Sequence, residues 1–356
     1  MIAQDATNKQ IEIPYLLKIG YGKITKVGKY LFDKNMLNIA LYMGEGIEEL
    51  VGKPLHYSLA KHNISIVHQQ IAPSLNIDDI THSAFSLPAV SAIVGIGGGK
   101  ALDFAKYTAH LLKIPFISIP TSLSNDGFGS PSSSLVIQGK RKSVKAASPF
   151  GIVIDLDVIK GSPDIFMYSG IGDMLSKATA LKDWQIARDK GLTRYVDFAA
   201  MMAYNSLDIL FLKHSFDISS VNFQRSLASS LMISGLAMEI AGSSRPASGS
   251  EHLISHALDE LCAKPKMHGI QVGVATYLCS LLQNNAQAEA IKDVFEMTGF
   301  CSFVQKDPFN YQEFVEALKL APSIKSNFYS VLSEPDSFDR ALKFIESDGL
   351  LKSVIC

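Results

Sequence analysis

Cysteine is scarce. Cys262, Cys279, Cys301 and Cys356 are the only four, none in CxxC spacing, so neither a disulfide framework nor a thiolate zinc site is expected. Excess charge is missing too: 33 basic side chains meet 34 acidic ones, a formal net charge of -1, which argues against a nucleic-acid binder or a partner of acidic surfaces. No stretch approaches eighteen uninterrupted apolar residues, and the opening MIAQDATNKQ has neither the basic nor the apolar segment of a secretory signal. A cytoplasmic protein without membrane insertion is the expectation. Internal repeats, low-complexity tracts and long linkers are also absent. The glycine signature GxGxxG, the P-loop and the zinc motif HExxH do not occur.

What is present is apolar residue in quantity. Hydrophobic side chains make up 47% of 356 residues, more than one ordinary core organises, and two domains around a closed cleft follow. Early in the chain short apolar runs alternate with polar connections: NIALYMG, NISIVHQ, AVSAIVGIGGG and PFISIPTS. These read as buried parallel strands with intervening helices. SLVIQGKRKSVK reads as a hairpin with a basic loop, and a further strand reaches Asp155. After it apolar residues recur at three and four, with Ser162 and Pro163 as a helix cap and first helical residue. The division expected is residues 1–160 in an α/β domain and 161–356 in a helical one.

Two loops lie where ligands of open α/β sheets bind, beyond the C-terminal ends of strands. In AIVGIGGGKALDFAKYTAHLL a strand meets Gly97, Gly98 and Gly99 and then a helix whose Leu102, Ala105 and Ala109 share a face. Glycines let backbone approach an anion, and the free N–H groups of a helix start stabilise its charge. Lys100 adds a positive group. A plain strand-to-helix turn is the other reading. In PFISIPTSLSNDGFGS the next strand is followed by Thr121, Ser122, Ser124, Asn125, Asp126 and Ser130, either ligand contacts or ordinary turn residues.

Three of the nine histidines crowd into SEHLISHALDELCAKPKMHG. His252 and His256 are four apart on a helical pattern and project from one face; His268 follows the Lys264-Pro265-Lys266 break at the start of another helix. A metal site or hydrogen-bonded structural histidines both fit that spacing. Asp173, preceded by Gly170 and Gly172, is an acidic candidate whose other reading is a helix cap.

Taken together, GIGGGKALD, PTSLSNDGFGS, SGIGDMLSKATALKDW, SRPASGSEHLISHAL and MHGIQVG resemble the sn-glycerol-1-phosphate dehydrogenase family, within the iron-containing alcohol dehydrogenases and dehydroquinate synthases. The resemblance spans nearly the whole chain. It implies an N-terminal Rossmann-like α/β domain, an all-α C-terminal domain, NAD(H) or NADP(H), and one divalent metal, zinc, iron or nickel, in the cleft. By the same resemblance Asp173, His252 and His268 are metal ligands, and Asp126, Asp173 and His256 contact a small phosphorylated substrate, Asp173 and His256 as catalytic groups. Gly97, Gly98, Gly99, Lys100 and Ala101 hold the pyrophosphate, while Thr121, Ser122, Leu123, Ser124 and Ser130 are further cofactor contacts. Lys145 and Arg245 are candidates for the phosphate on charge alone. The implied reaction is reduction of dihydroxyacetone phosphate to sn-glycerol 1-phosphate by a homo-oligomer. A sugar phosphate cyclase, a dehydrogenase of another polyol and a noncatalytic cofactor-binding protein are the alternatives.

Overall fold

The computed structural model describes residues 11–211 and 215–356; the opening decapeptide lies outside them. Six strands form one parallel sheet: β1 (Leu16–Gly20), β2 (Asn38–Met43), β3 (Ser65–Ile71), β4 (Ala92–Gly97), β5 (Phe116–Pro120) and, after the hairpin, β8 (Gly151–Asp155). Their order is β1-β8-β5-β4-β2-β3. Alternation along β2 explains why both faces are covered. Ile39, Leu41 and Met43 enter one apolar cluster, Ala40 and Tyr42 the other, since successive side chains of a strand point to opposite faces. The cluster that holds Ala40 and Tyr42 continues without a break into the helices beyond residue 164.

The expected α/β half and helical half are both found. The expected hairpin is β6 (Ser132–Ile137) against β7 (Lys140–Lys145), antiparallel, but the basic run Lys140, Arg141 and Lys142 lies within β7 and not in the loop as expected. Its two-residue turn puts Gln138 at φ 52 and Gly139 at φ 74, the left-handed pair that matches strand twist. Two further details differ from expectation. β1 was not anticipated from sequence, and the long helix begins at Asp164, with Pro163 in the capping position. Ser162 does not cap; its hydroxyl donates to the Ile159 carbonyl at 2.7 Å. All four cysteines are free. Among the described residues no helix is long and apolar enough to cross a membrane.

Glycines set how closely the long helix Asp164–Asp189 meets the helix His268–Leu282. A Cβ on Gly172 would stand 2.0 Å from the Gly269 carbonyl oxygen, and one on Gly269 would stand 1.9 Å from that of Ser169. Gly172 precedes Asp173, and Gly269 follows His268. The contact therefore fixes the spacing of both side chains. Gly172→Ala is expected to force the helices apart, at a cost of about 1–3 kcal/mol or more, read as a lower urea midpoint together with weaker binding of divalent metal.

Candidate metal and cofactor site

Asp173 projects from the middle of a helix that is buried nearly all round, His252 from the helix Ser250–Leu261, and His268 from the first position of the helix His268–Leu282. Each offers one ligand atom, and these atoms lie within 4.8 Å of one another. The His252 ring is 5.1 Å from His268 and 6.4 Å from His256. Helical spacing put His252 and His256 on one face, which holds, yet the nearer ring is His268.

Both close rings have their orientation settled from behind. Glu251, fully buried, accepts from His252 Nδ1 at 2.8 Å, from the Gly249 N–H at 2.6 Å and from the Thr179 hydroxyl at 2.8 Å. His252 Nε2 then faces Asp173 Oδ1 at 3.5 Å. For His268 the argument runs through one proton. Ser255 gives its hydroxyl hydrogen to Gln271 Oε1 at 2.6 Å, while Gln271 Nε2 donates to Asp259 at 3.3 Å. The Ser255 oxygen, 3.1 Å from His268 Nδ1, must therefore accept from it, leaving the Nε2 lone pair free. One carboxylate and two imidazole Nε2 atoms, each imidazole backed by an acceptor, suit a catalytic divalent metal with open positions. His256 differs: neither ring nitrogen has a hydrogen-bond partner among the described residues.

The electrostatics favour a cation here. Burial would raise the Asp173 carboxyl, but Lys177 and His252 outweigh it and hold the group well below its usual range. Burial would lower His252; Asp173 and Glu251 overcome that and lift it to about 9. Burial and the charge of His252 push His256 down to about 4, with help from Arg141 and Lys325, and push His268 down as well. Neutral imidazole is the form that ligates, so His268 is ready as it stands, whereas His252 would give up its Nε2 proton to a bound cation.

Sequence reasoning missed Lys177. Its side chain is fully buried, with Nζ 3.0 Å from Asp126 Oδ2 and 3.4 Å from Asp173 Oδ2, and it donates to the Asp173 carbonyl at 2.7 Å. Asp126 is held further by the Ser234 hydroxyl at 2.7 Å, and its N–H donates to Asp173 Oδ2 at 2.9 Å. The loop after β5 is thus tied directly to Asp173. Glu251, Ser255 and Gln271 were missed as well, although Glu251 adjoins His252 in a helix whose first six residues are all buried.

The two loops meet at one rim. β4 and β5 are neighbours with Gly97 opposite Pro120, and the Thr121 N–H donates to the Gly97 carbonyl at 3.1 Å. Gly97 has φ 144, which only glycine adopts readily. Nothing stands within 4 Å of the space a Cβ would take on Gly98 or Gly99. With Lys100 exposed beside them, the start of the helix Gly99–Leu112 is open and rich in backbone donors, an arrangement that suits an anion. Ala101 is buried beneath it. Thr121 and Ser122 are mostly buried, and the Ser124 carbonyl accepts from Ser169 at 2.8 Å. Leu123 is fully buried, and its carbonyl packs on Gly170. Ser130, also buried, donates to Ser132 O at 3.1 Å, with Gly127 O at 3.4 Å and buried Lys106 at 3.5 Å.

Lys145 and Arg245, the candidates on charge alone, lie on the hairpin and beside Lys325 respectively. Lys145 stands opposite Ser132, two residues on from Ser130, across the hairpin, and its charge adds to burial in lowering His110. Arg245 is buried, donates to the Tyr329 carbonyl at 2.7 Å and lies 3.6 Å over the Phe328 ring. The cations whose charge reaches His256 are Arg141, on the hairpin, and Lys325.

Comparison with known proteins agrees with this geometry. Residues 18–163 match the family described as iron-containing alcohol dehydrogenase. Glycerol-1-phosphate dehydrogenase (NAD(P)+) of Methanosarcina acetivorans is 32% identical over 91% of this chain and 92% of its own length. The Staphylothermus marinus protein of that name is 33% identical over 96% and 98%. Among solved structures, glycerol dehydrogenase of Schizosaccharomyces pombe superposes with a TM-score of 0.75 at 19% identity, covering 96% of this chain and 93% of that one. Sulfoacetaldehyde reductase of Bifidobacterium kashiwanohense, in complex with NAD+, gives 0.72 at 16%, covering 95% and 99%. These two likenesses carry the fold, whereas the identity and coverage of the first two relatives carry the family: the chain belongs to the glycerol-1-phosphate dehydrogenases.

Proposed function

We propose that the protein reduces dihydroxyacetone phosphate to sn-glycerol 1-phosphate, reversibly, using NAD(P)H and one divalent metal, with zinc the first choice and iron or nickel also suited to the donor set. The observation that carries this reading is the hydrogen bond from the Asp126 N–H to Asp173. It fastens the loop of the dinucleotide rim to the ligating triad, so a nicotinamide and a ketone can meet. The name shared by the curated relatives supports glycerol 1-phosphate and NAD(P) as the reaction's partners.

The groups so held supply hydride, from the nicotinamide, and Lewis-acid charge at a carbonyl, from the cation. The protein's own part is placement. Asp173, His252 and His268 would hold the metal, with Glu251 and Ser255 fixing the two rings. Gly97 to Ala101 and the loop from Thr121 to Ser124, with Ser130 beneath it, would shape the cofactor site. Asp126, tethered by Lys177 and Ser234, would receive a substrate hydroxyl. His256, neutral and without a protein partner, would orient the substrate or pass a proton. Arg141 and Lys325 would balance the phosphate. This reading divides the chain near residue 160 and places a homo-oligomer in the cytoplasm.

Metal-loaded protein given dihydroxyacetone phosphate with NADH or NADPH should oxidise the nucleotide and yield the sn-1 product alone, as chiral analysis would show. No turnover with zinc, iron or nickel, or a product of the opposite hand, would sink the proposal.

A further inference from the structure

The two histidines of the triad are not backed alike. Glu251, whose carboxylate can only accept, meets His252 Nδ1 directly at 2.8 Å. His268 Nδ1 meets the Ser255 hydroxyl at 3.1 Å, and a hydroxyl both donates and accepts. The next group, the Gln271 side chain, is no more decisive, because an amide can be turned end for end. Left to themselves these three groups form a chain that runs in either direction. In one direction His268 carries its proton on Nδ1 and offers the Nε2 lone pair to the ligating cluster. In the other Ser255 donates to Nδ1, and the proton on Nε2 blocks ligation.

Asp259 stands at the far end of that chain. Ser255 and Asp259 are four apart on the helix Ser250–Leu261, and His268 and Gln271 are three apart on the helix His268–Leu282, so each pair shares a face. The bonds zigzag between the two helices: His268 to Ser255, Ser255 to Gln271 Oε1 at 2.6 Å, and Gln271 Nε2 to Asp259 Oδ1 at 3.3 Å. A carboxylate accepts only. It takes the amide N–H, which turns the amide oxygen towards Ser255 and leaves a serine lone pair for His268. Burial raises the Asp259 carboxyl, while the bond from Gln271 and the charge of Arg141 favour its ionised form.

We propose that Asp259 is a positioning residue for the metal site, fixing the tautomer of His268 through three successive hydrogen bonds. This rests on the ligand set proposed above. Asp259→Asn keeps the shape but adds a donor, so the whole chain becomes free to reverse.

Two readouts test this without turnover. In metal-free protein carrying isotope-labelled histidine, the ring nitrogen shifts of His268 should report a proton on Nδ1 in the native chain and a substantial share on Nε2 in Asp259→Asn. In competition with a chelator, zinc should bind that variant roughly tenfold more weakly. Adding Gln271→Glu should restore both, because a carboxylate in mid-chain accepts from the new amide and from Ser255 alike. A native tautomer and native affinity in Asp259→Asn, or a loss that Gln271→Glu leaves unrepaired in a folded double variant, overturns this inference alone. Native protein that binds no zinc overturns the ligand set with it. Asp259 is partly exposed and the change nearly isosteric, so the single variant should fold, and its tautomer decides the matter if circular dichroism shows the double variant unfolded.

Discussion

His252→Ala is expected to strip the metal and the activity together. His252 is the best-determined of the three proposed ligands, since Glu251 holds its Nδ1 and aims Nε2 at Asp173. Removing the ring takes one donor from three and leaves Glu251, fully buried, without the group it neutralises. Metal charge at a developing alkoxide is worth several kcal/mol, so kcat/KM should fall about a thousandfold, with metal content after dialysis falling in step. His256→Ala is the contrast. It should lower turnover roughly a hundredfold yet keep the metal. Activity preserved in metal-free His252→Ala would remove His252 from the site; metal lost equally from both variants would make His256 a ligand.

Those two variants separate residues that spacing alone had paired. Four residues apart on a helix describes His252 and His256 correctly, but it cannot tell which ring a third element approaches. The fold brings the start of another helix against His252, and Gly172 and Gly269 allow it by packing without side chains. Family resemblance, carried by ordered motifs, pointed to His268 and Asp173 where periodicity could not.

The sheet was more legible than the site. β2, β4 and β5 are almost wholly buried and so read as unbroken apolar runs. β1 was missed because it is a short edge strand with Lys18 at its centre and only its ends buried. The hairpin was read but its loop was not: the turn is Gln138-Gly139 alone, between strands of matching length, and the basic residues belong to the second strand. Buried charge was the least legible. A lysine in a helix is solvent-exposed by default, and the signal against that lay in the helix as a whole. From Ser169 to Leu181 every side chain is buried, so Lys177 had no solvent face to occupy and needed acidic partners.

Lys177→Met tests that need. Lys177 stands between Asp126 and Asp173; the Lys177 and Asp173 side chains are withdrawn from water and that of Asp126 is mostly so. Removing one partner of a buried charge set typically costs about 3–5 kcal/mol, so the metal-free variant should unfold at markedly lower urea. The loss should also depend on pH in a definite direction. Burial, then the charge of Asp173, already raises the Asp126 carboxyl above its usual range, with Lys177 opposing both. Without Lys177 that opposition disappears, and Asp126 in the folded variant should hold its proton to still higher pH. A group whose folded pKa is raised contributes stability below its unfolded pKa and loses it as pH rises through the folded one. The gap between variant and native protein should therefore be small in mildly acid buffer and wide in mildly alkaline buffer. A gap independent of pH would mean that Lys177 acts by packing, whereas no gap at all would mean that the carboxylates are balanced by something other than this lysine.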